Sequence, residues 1–193
     1  MADEVTVPCT LLYGCTGVGQ IIDPSSDTST LVPNSKVELP LWMVPIVARR
    51  GLAQVQLPRF FGSRMRRKVK AGAACEDLKS RCAYFYTVAL RVHSAMQATG
   101  SIDENFPAFI FTTFANRYRD LLAKAPTIDN AAEVSDVQSK LSIEELQLFS
   151  AASNAATIHE RYRANKVMER SLGGTKLAKR KWRSGQENIL PSR

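Results

Sequence analysis

The sequence contains few of the side chains from which metal centres and catalytic sites are usually built. Its 193 residues include only two histidines, His93 and His159, and four cysteines. Neither histidine belongs to an arrangement of Ser, Cys or carboxylate residues that suggests a triad. The cysteines are Cys9, Cys15, Cys75 and Cys82. Because neither pair has the short gap of a zinc knuckle, we expect no metal or cofactor, and reduced, partly buried thiols.

Long apolar runs are also lacking. The longest, residues 39–48, is interrupted by Pro40 and Pro45 and is far shorter than the ~18 residues of a membrane span. Asp3 and Glu4 stand where a signal peptide would carry basic and then apolar residues. We therefore expect an intracellular protein with no membrane contact.

No nucleotide-binding or catalytic motif is complete. The glycines at 14, 17 and 19 lack the Gly-Lys-Ser/Thr ending of a phosphate loop. Glu144 and Glu145 are adjacent, so on a helix their side chains point about 100° apart and cannot form a catalytic pair. The sequence therefore predicts a protein that is not an enzyme.

Positive charge is abundant but unevenly placed. The chain has 26 Lys and Arg against 18 Asp and Glu, and two blocks, residues 49–81 and 161–193, each hold ten basic and two acidic residues. The first block is densest at Arg64, Arg66, Arg67, Lys68 and Lys70. Five cations in seven positions are typical of a docking surface for DNA phosphates or an acidic partner, or simply of a solvated helix.

The second basic block predicts a flexible tail over residues 173–193. Gly173-Gly174 is a helix-ending signal, and the end of the chain is polar. Its candidate nuclear-import residues are Lys179, Arg180 and Lys181. The alternative is a tail that only improves solubility.

Hydropathy patterns predict a mostly α protein, a helical bundle preceded by a small N-terminal β domain. Residues 5–22 predict two short strands around a turn, and a Ser- and Pro-containing linker follows to residue 35. Residues 75–98 predict a buried helix. Ser142 to Glu145 forms a capping box, with Leu141 and Leu146 as a hydrophobic staple. The predicted divisions are 1–35, 36–172 and 173–193.

One further helix is predicted to be amphipathic. Its apolar side holds Phe111, Phe114, Tyr118, Leu121, Leu122 and Ala125. Arg117 and Arg119 are expected on the opposite, polar side.

Several short strings occur in an order that is typical of one family. Val7-Pro8-Cys9-Thr10 precedes Gly17-Val18-Gly19, and residues 36–42 read Lys-Val-Glu-Leu-Pro-Leu-Trp. Tyr84-Phe85-Tyr86 and the Leu-x-x-x-Glu-x-x-Leu-Phe string of 141–149 continue the order. The motif positions are Pro8, Cys9, Gly17, Gly19, Glu38, Leu39, Pro40, Leu41 and Trp42. Over about residues 7–182 the chain resembles the third Psf subunit (Psf3-type) of the eukaryotic GINS DNA-replication complex.

The resemblance implies a GINS-like fold and a non-enzymatic, nuclear subunit of a heterotetramer with three sister subunits. In the family this assembly joins the MCM ring, at its N-terminal tier, and a third cofactor to form the CMG replicative helicase. In the family the subunit acts as a scaffold in the initiation and elongation of replication. A contact with DNA is possible, and we expect it to be indirect. The family usually has an acidic helix before the Val-Pro-Cys-Thr string, so the contacts of that helix are not carried over.

Aromatic residues and Arg are favoured in interface cores. The candidate interface residues are Tyr84, Phe85, Tyr86, Phe111, Phe114, Tyr118 and Arg119. The alternative for each is the chain's own core. Leu41 and Trp42 are expected to lock the linker onto the helices. A competing function is a stand-alone basic, helical nucleic-acid-binding protein.

Overall fold

Five short strands and seven α-helices make up the part of the chain that the computed structural model describes, residues 2–22, 29–101, 103–126 and 131–186. The strands are β1 (Thr6–Leu11), β2 (Cys15–Thr16), β3 (Thr30–Leu31), β4 (Lys36–Pro40) and β5 (Ala53–Val55). The helices are α1 (Gly19–Ile22), α2 (Val44–Arg49), α3 (Ser63–Gly72), α4 (Phe85–Ala98), α5 (Asn105–Lys124), α6 (Ala131–Lys140) and α7 (Ile143–Gln186). The prediction of a mostly helical fold with a small N-terminal β part is confirmed.

The main sheet is antiparallel, with the strand order β4-β1-β5. In β1, Val7, Cys9 and Leu11 alternate into the core, since successive side chains of a strand point to opposite faces. β2 pairs with β3 instead, with Cys15 opposite Leu31. The two strands predicted within residues 5–22 are therefore present, but they do not pair with each other.

The family-motif glycines lie beside the smaller sheet. Gly17 has a φ of +81°, a backbone conformation that favours glycine, and its amide donates to the Ser29 carbonyl at 2.8 Å. The Gly19 amide donates to the same carbonyl at 3.0 Å and is buried. The motif thus shapes a turn and the start of α1.

Strands β4 and β5 lie after residue 35, so the predicted boundary there does not separate the sheet from the helices. One continuous set of buried side chains runs from Val7 in β1 to Ile110 in α5. In the motif string, Leu39 and Leu41 are buried, Pro40 is half-buried and Glu38 is exposed. Leu41 belongs to this core, whereas the Trp42 side chain is largely exposed.

Aromatic rings join the helices around this core. The ring of Phe61 meets those of Phe85 and Phe106 edge to face, with centroid distances of 4.9 and 5.2 Å. α4 buries Val88, Val92 and their neighbours, which confirms a buried helix, although it begins at Phe85 rather than near residue 75.

The inward face of α5 differs from the predicted one by a rotation of about one residue. The buried positions are Phe106, Ile110, Thr113, Arg117 and Leu121. Phe111 and Tyr118, predicted on the apolar side, are exposed, whereas Arg117, predicted on the polar side, is buried. The apolar surface that α5 leaves in solvent is therefore an aromatic one.

α7 begins at the predicted capping box. The Ser142 amide donates to Glu145 Oε2 at 3.2 Å, and the Glu145 amide donates to Ser142 Oγ at 3.4 Å. Leu141 and Leu146 pack in a second, smaller core with Leu121 and Phe149. The predicted helix end at Gly173-Gly174 is wrong, because α7 continues through both glycines to Gln186.

Candidate subunit interface

An apolar groove of about 320 Å³ lies between α4 and α5. Leu90 forms one wall, and Phe111, 72% exposed, forms the other. Phe114 lies in the groove, and its ring stacks on Tyr118 with centroids 5.6 Å apart and planes 13° apart. A contiguous exposed surface of this kind is the usual mark of an interaction site rather than of a solvated helix.

The seven candidate interface residues are divided by the fold. Phe111, Tyr118 and Arg119 are exposed on α5, and Phe114 and Tyr84 are half-buried. Phe85 and Tyr86 are buried in the chain's own core, which was the alternative for each, and both point inward from the first turn of α4. We call the surface formed by Leu90, Phe111, Phe114 and Tyr118 the aromatic face.

Beneath the aromatic face is a polar centre that the sequence pattern missed. Arg117, 2% exposed, donates through Nε to Glu145 Oε1 at 2.6 Å and through Nη2 to Oε2 at 2.8 Å. Its Nη1 donates to the carbonyl oxygens of Ala73 and Glu76. The Tyr86 hydroxyl donates to Glu145 Oε1 at 2.7 Å. These hydrogen bonds fix the position of α5 relative to α4, the start of α7 and residues 73–76.

The titration of this centre follows from its burial. Burial raises the pKa of Tyr86, and the negative charge of Glu145 raises it further. Burial alone would lower the pKa of Arg117, but the hydrogen bonds and charge of Glu145 outweigh it and the pKa rises. Both groups therefore keep their protons, and the centre serves packing.

The dense basic block forms α3, whose Met65 and Val69 face the core. Arg66 is part of the structure: it donates to Asp103 Oδ2 at 2.5 Å and lies 5.5 Å from the ring centroids of Phe106 and Phe109. This hydrogen bond and charge lower the pKa of Asp103. Arg66 is therefore engaged in contacts within the chain, and we leave it out of the surface described next.

The other four cations of the block remain on the surface. Lys68 is exposed but pairs with Glu76 at 3.7 Å. Arg64, Arg67 and Lys70 are exposed, and Lys70 also lines a groove of about 590 Å³ between α3 and α5. We call these three residues the basic face.

The cysteines are all free thiols. Cys9 and Cys82 are buried, and burial raises the pKa of both, that of Cys9 to about 11. No cluster of three or more His, Cys, Asp or Glu residues within 2–22, 29–101, 103–126 and 131–186 could hold a metal ion. None of the described helices is long and apolar enough to cross a membrane. The side chains of Lys179, Arg180 and Lys181 lie outside the described residues.

The described chain is thus a mostly helical protein with a small N-terminal sheet, a buried ion pair and an exposed aromatic face. No protein-family model matches it. Three curated relatives do. One is the DNA replication complex GINS protein PSF3 of Kluyveromyces lactis, 33% identical over 103 residues, which cover 46% of this chain and 54% of the relative.

The match to the Aspergillus fumigatus protein of the same name is longer, with 27% identity over 81% of this chain and 88% of the relative. The probable PSF3 of Dictyostelium discoideum is 19% identical over 86% of this chain and 60% of the relative. The chain thus spans little more than half the length of the Kluyveromyces and Dictyostelium proteins. The resemblance to the Psf3-type subunit of the GINS complex is confirmed.

Proposed function

We propose that this chain is a structural, non-enzymatic subunit of a GINS heterotetramer that acts in eukaryotic DNA replication. The similarity to three relatives named as GINS PSF3 proteins supports this proposal. The observation that carries it is the aromatic face on α4 and α5, because such a surface is covered when a subunit assembles. The partners are three sister subunits, and the site of action is the nucleus.

The aromatic face is the surface that we assign to a sister subunit. Its centre is Phe111, and large aromatic side chains near the centre of an interface usually contribute most to binding. Arg119 follows Tyr118 on α5 and is exposed at the edge of the face. It therefore belongs to the polar rim, where charges direct association more than they strengthen it.

The finer part of the proposal concerns the helicase. The GINS tetramer joins the MCM ring at its N-terminal tier, together with the third CMG cofactor, and holds the ring in its working conformation. ATP hydrolysis belongs to the ring. A nuclear-import role for Lys179, Arg180 and Lys181 belongs to the same proposal.

Co-expression with the three sister subunits tests the assignment of the surface. Phe111→Glu places a charge at the centre of the aromatic face and should reduce recovery of the sisters on a tag carried by this chain by about tenfold or more. Thr112→Glu is the matched control, since Thr112 is exposed on the side of α5 that faces α3. Equal recovery with both variants would remove the aromatic face from the interface.

A second role is favoured by the basic face. Arg64, Arg67 and Lys70 are exposed together on one helix and match a phosphate backbone or an acidic protein surface. We propose that they dock the assembled complex on the ring or on DNA. A stand-alone nucleic-acid-binding protein is the alternative function that this surface would also support.

A further inference from the structure

The first turns of α7 pack against the smaller core, and the described side chains beyond Ala156 project into solvent. The inward face of α7 is formed by Glu145, Phe149, Ala152 and Ala156. Every side chain from residue 157 to 168 is exposed. Ile158 is 66% exposed and Tyr162 is 60% exposed. A single helix without tertiary contacts is only marginally stable in water, since most helical stability in proteins comes from packing.

The exposed part of α7 carries a regular apolar row, which we call the α7 seam. Its members are Leu148, Ala151, Ala155, Ile158 and Tyr162, all of them exposed. Their spacing is three, four, three and four residues. Strict alternation of this kind keeps one narrow stripe facing a second helix, as positions a and d of a coiled coil do.

The charges beside the α7 seam indicate what kind of helix covers it. In heptad terms the flanking positions are Gln147, Ala152, Asn154, His159, Arg161 and Lys166. Among these positions the only Lys, Arg, Asp or Glu residues are the cations Arg161 and Lys166. The Lys166 ammonium lies 5.7 Å from the centroid of the Tyr162 ring, which places it at the edge of the seam.

A second copy of this chain fits the α7 seam poorly. In a parallel pair Arg161 would face the Lys166 of the other copy, because facing flanks of a coiled coil are five positions apart. An antiparallel pair centred on Tyr162 would bring the cation-bearing turns of both copies together. Like charges in facing flanking positions disfavour association, whereas acidic residues there would form ion pairs.

We propose that the α7 seam is the docking site for an amphipathic helix of another protein whose flanking positions are acidic. The inference rests on the spacing, exposure and charge of α7 and does not depend on the proposed function. It concerns a different surface from the aromatic face.

Two synthetic peptides of about three heptads test the proposal on the full chain by fluorescence anisotropy. Both have Leu at positions a and d, and they differ only in carrying Glu or Lys at e and g. The Glu peptide should bind at least about tenfold tighter than the Lys peptide. Arg161→Glu with Lys166→Glu should reverse that preference.

Ile158→Asn should remove binding of the Glu peptide. Val167→Asn is the control and should leave this binding unchanged, because Val167 is similarly exposed but lies on the opposite side of α7. Circular dichroism of each variant shows whether the helix itself persists. Equal binding of the two peptides, or no effect of Ile158→Asn in a folded variant, would overturn the proposal. A dimer of the chain in sedimentation that Ile158→Asn abolishes would overturn it in favour of a second copy.

Discussion

The guanidinium of Arg117 and the carboxylate of Glu145 meet through two parallel hydrogen bonds of 2.6 and 2.8 Å in the interior of the protein. The two residues are 28 positions apart and join α5 to the start of α7. Glu145 also accepts from Tyr86 and closes the capping box of α7. A single carboxylate thus helps to position α4 and α5, which carry the aromatic face, and α7, which carries the α7 seam.

Removing that carboxylate should destabilise the protein strongly. Glu145→Ala leaves the Arg117 charge buried without its partner, which typically costs about 3–5 kcal/mol. Urea unfolding followed by circular dichroism measures the change in the free energy of unfolding. Asp136→Ala is the control, because Asp136 pairs with Lys140 on the exposed surface of α6 and its removal should cost at most about 0.5 kcal/mol. Equal destabilisation by the two variants would contradict a structural role of the buried pair.

The thiols should react in two classes. Cys75 is exposed and Cys15 is half-buried, whereas Cys9 and Cys82 are buried. The thiolate is the reactive form, and a pKa of about 11 leaves Cys9 with roughly a hundredfold less of it than an ordinary thiol. A chromogenic disulfide reagent near neutral pH should therefore modify two thiols quickly and the other two only after unfolding. Four equally fast thiols would contradict the described core.

The Arg66–Asp103 pair should make stability depend on acid pH. The pKa of Asp103 is lower in the folded protein than its ordinary value near 4, because Arg66 donates to the carboxylate and attracts it. The pair therefore contributes stability above the unfolded pKa, and this contribution disappears as the pH falls through the folded pKa. Asp103→Asn should reduce the fall in urea midpoint between roughly pH 6 and pH 3. An unchanged fall would show that the pair contributes nothing.

Charge reversal tests the basic face. Arg64→Glu, Arg67→Glu and Lys70→Glu together should weaken binding of the co-expressed complex to the MCM ring or to duplex DNA without unfolding this chain. If the target is DNA, the negative slope of log affinity against log salt should become shallower by about 0.9 for each phosphate that the variant no longer neutralises. Reversal of Lys79 and Arg81, which are also exposed, is the control. Unchanged binding to both targets would remove this role.

Sequence patterns predicted the local features of this fold better than the long-range ones. The capping box at Ser142 and the buried α4 helix depend on residues close together in sequence, and both are confirmed. The hydropathy pattern misplaces the inward face of α5, because it puts Arg117 on the polar side although this side chain is buried. Its burial is made favourable by the ion pair with Glu145 and by the carbonyl oxygens of Ala73 and Glu76, all of them far from it along the chain.

The strand pairing and the site show the same limit. β1 pairs with β4 and β5 across long stretches of sequence, whereas the pattern suggested a local partner in β2. Phe85 and Phe111 are the same residue type on neighbouring helices, yet one is in the core and the other on the surface. Hydropathy does not distinguish them, because the difference depends on how α4 and α5 are rotated against each other.

The proposed subunit role is tested most directly by the native mass of the species formed when this chain is co-expressed with three GINS sister subunits from the same organism. The expected result is one stable complex that contains one copy of each of the four chains. A chain that purifies alone, soluble and stable, while its sisters assemble without it, would contradict the proposed role.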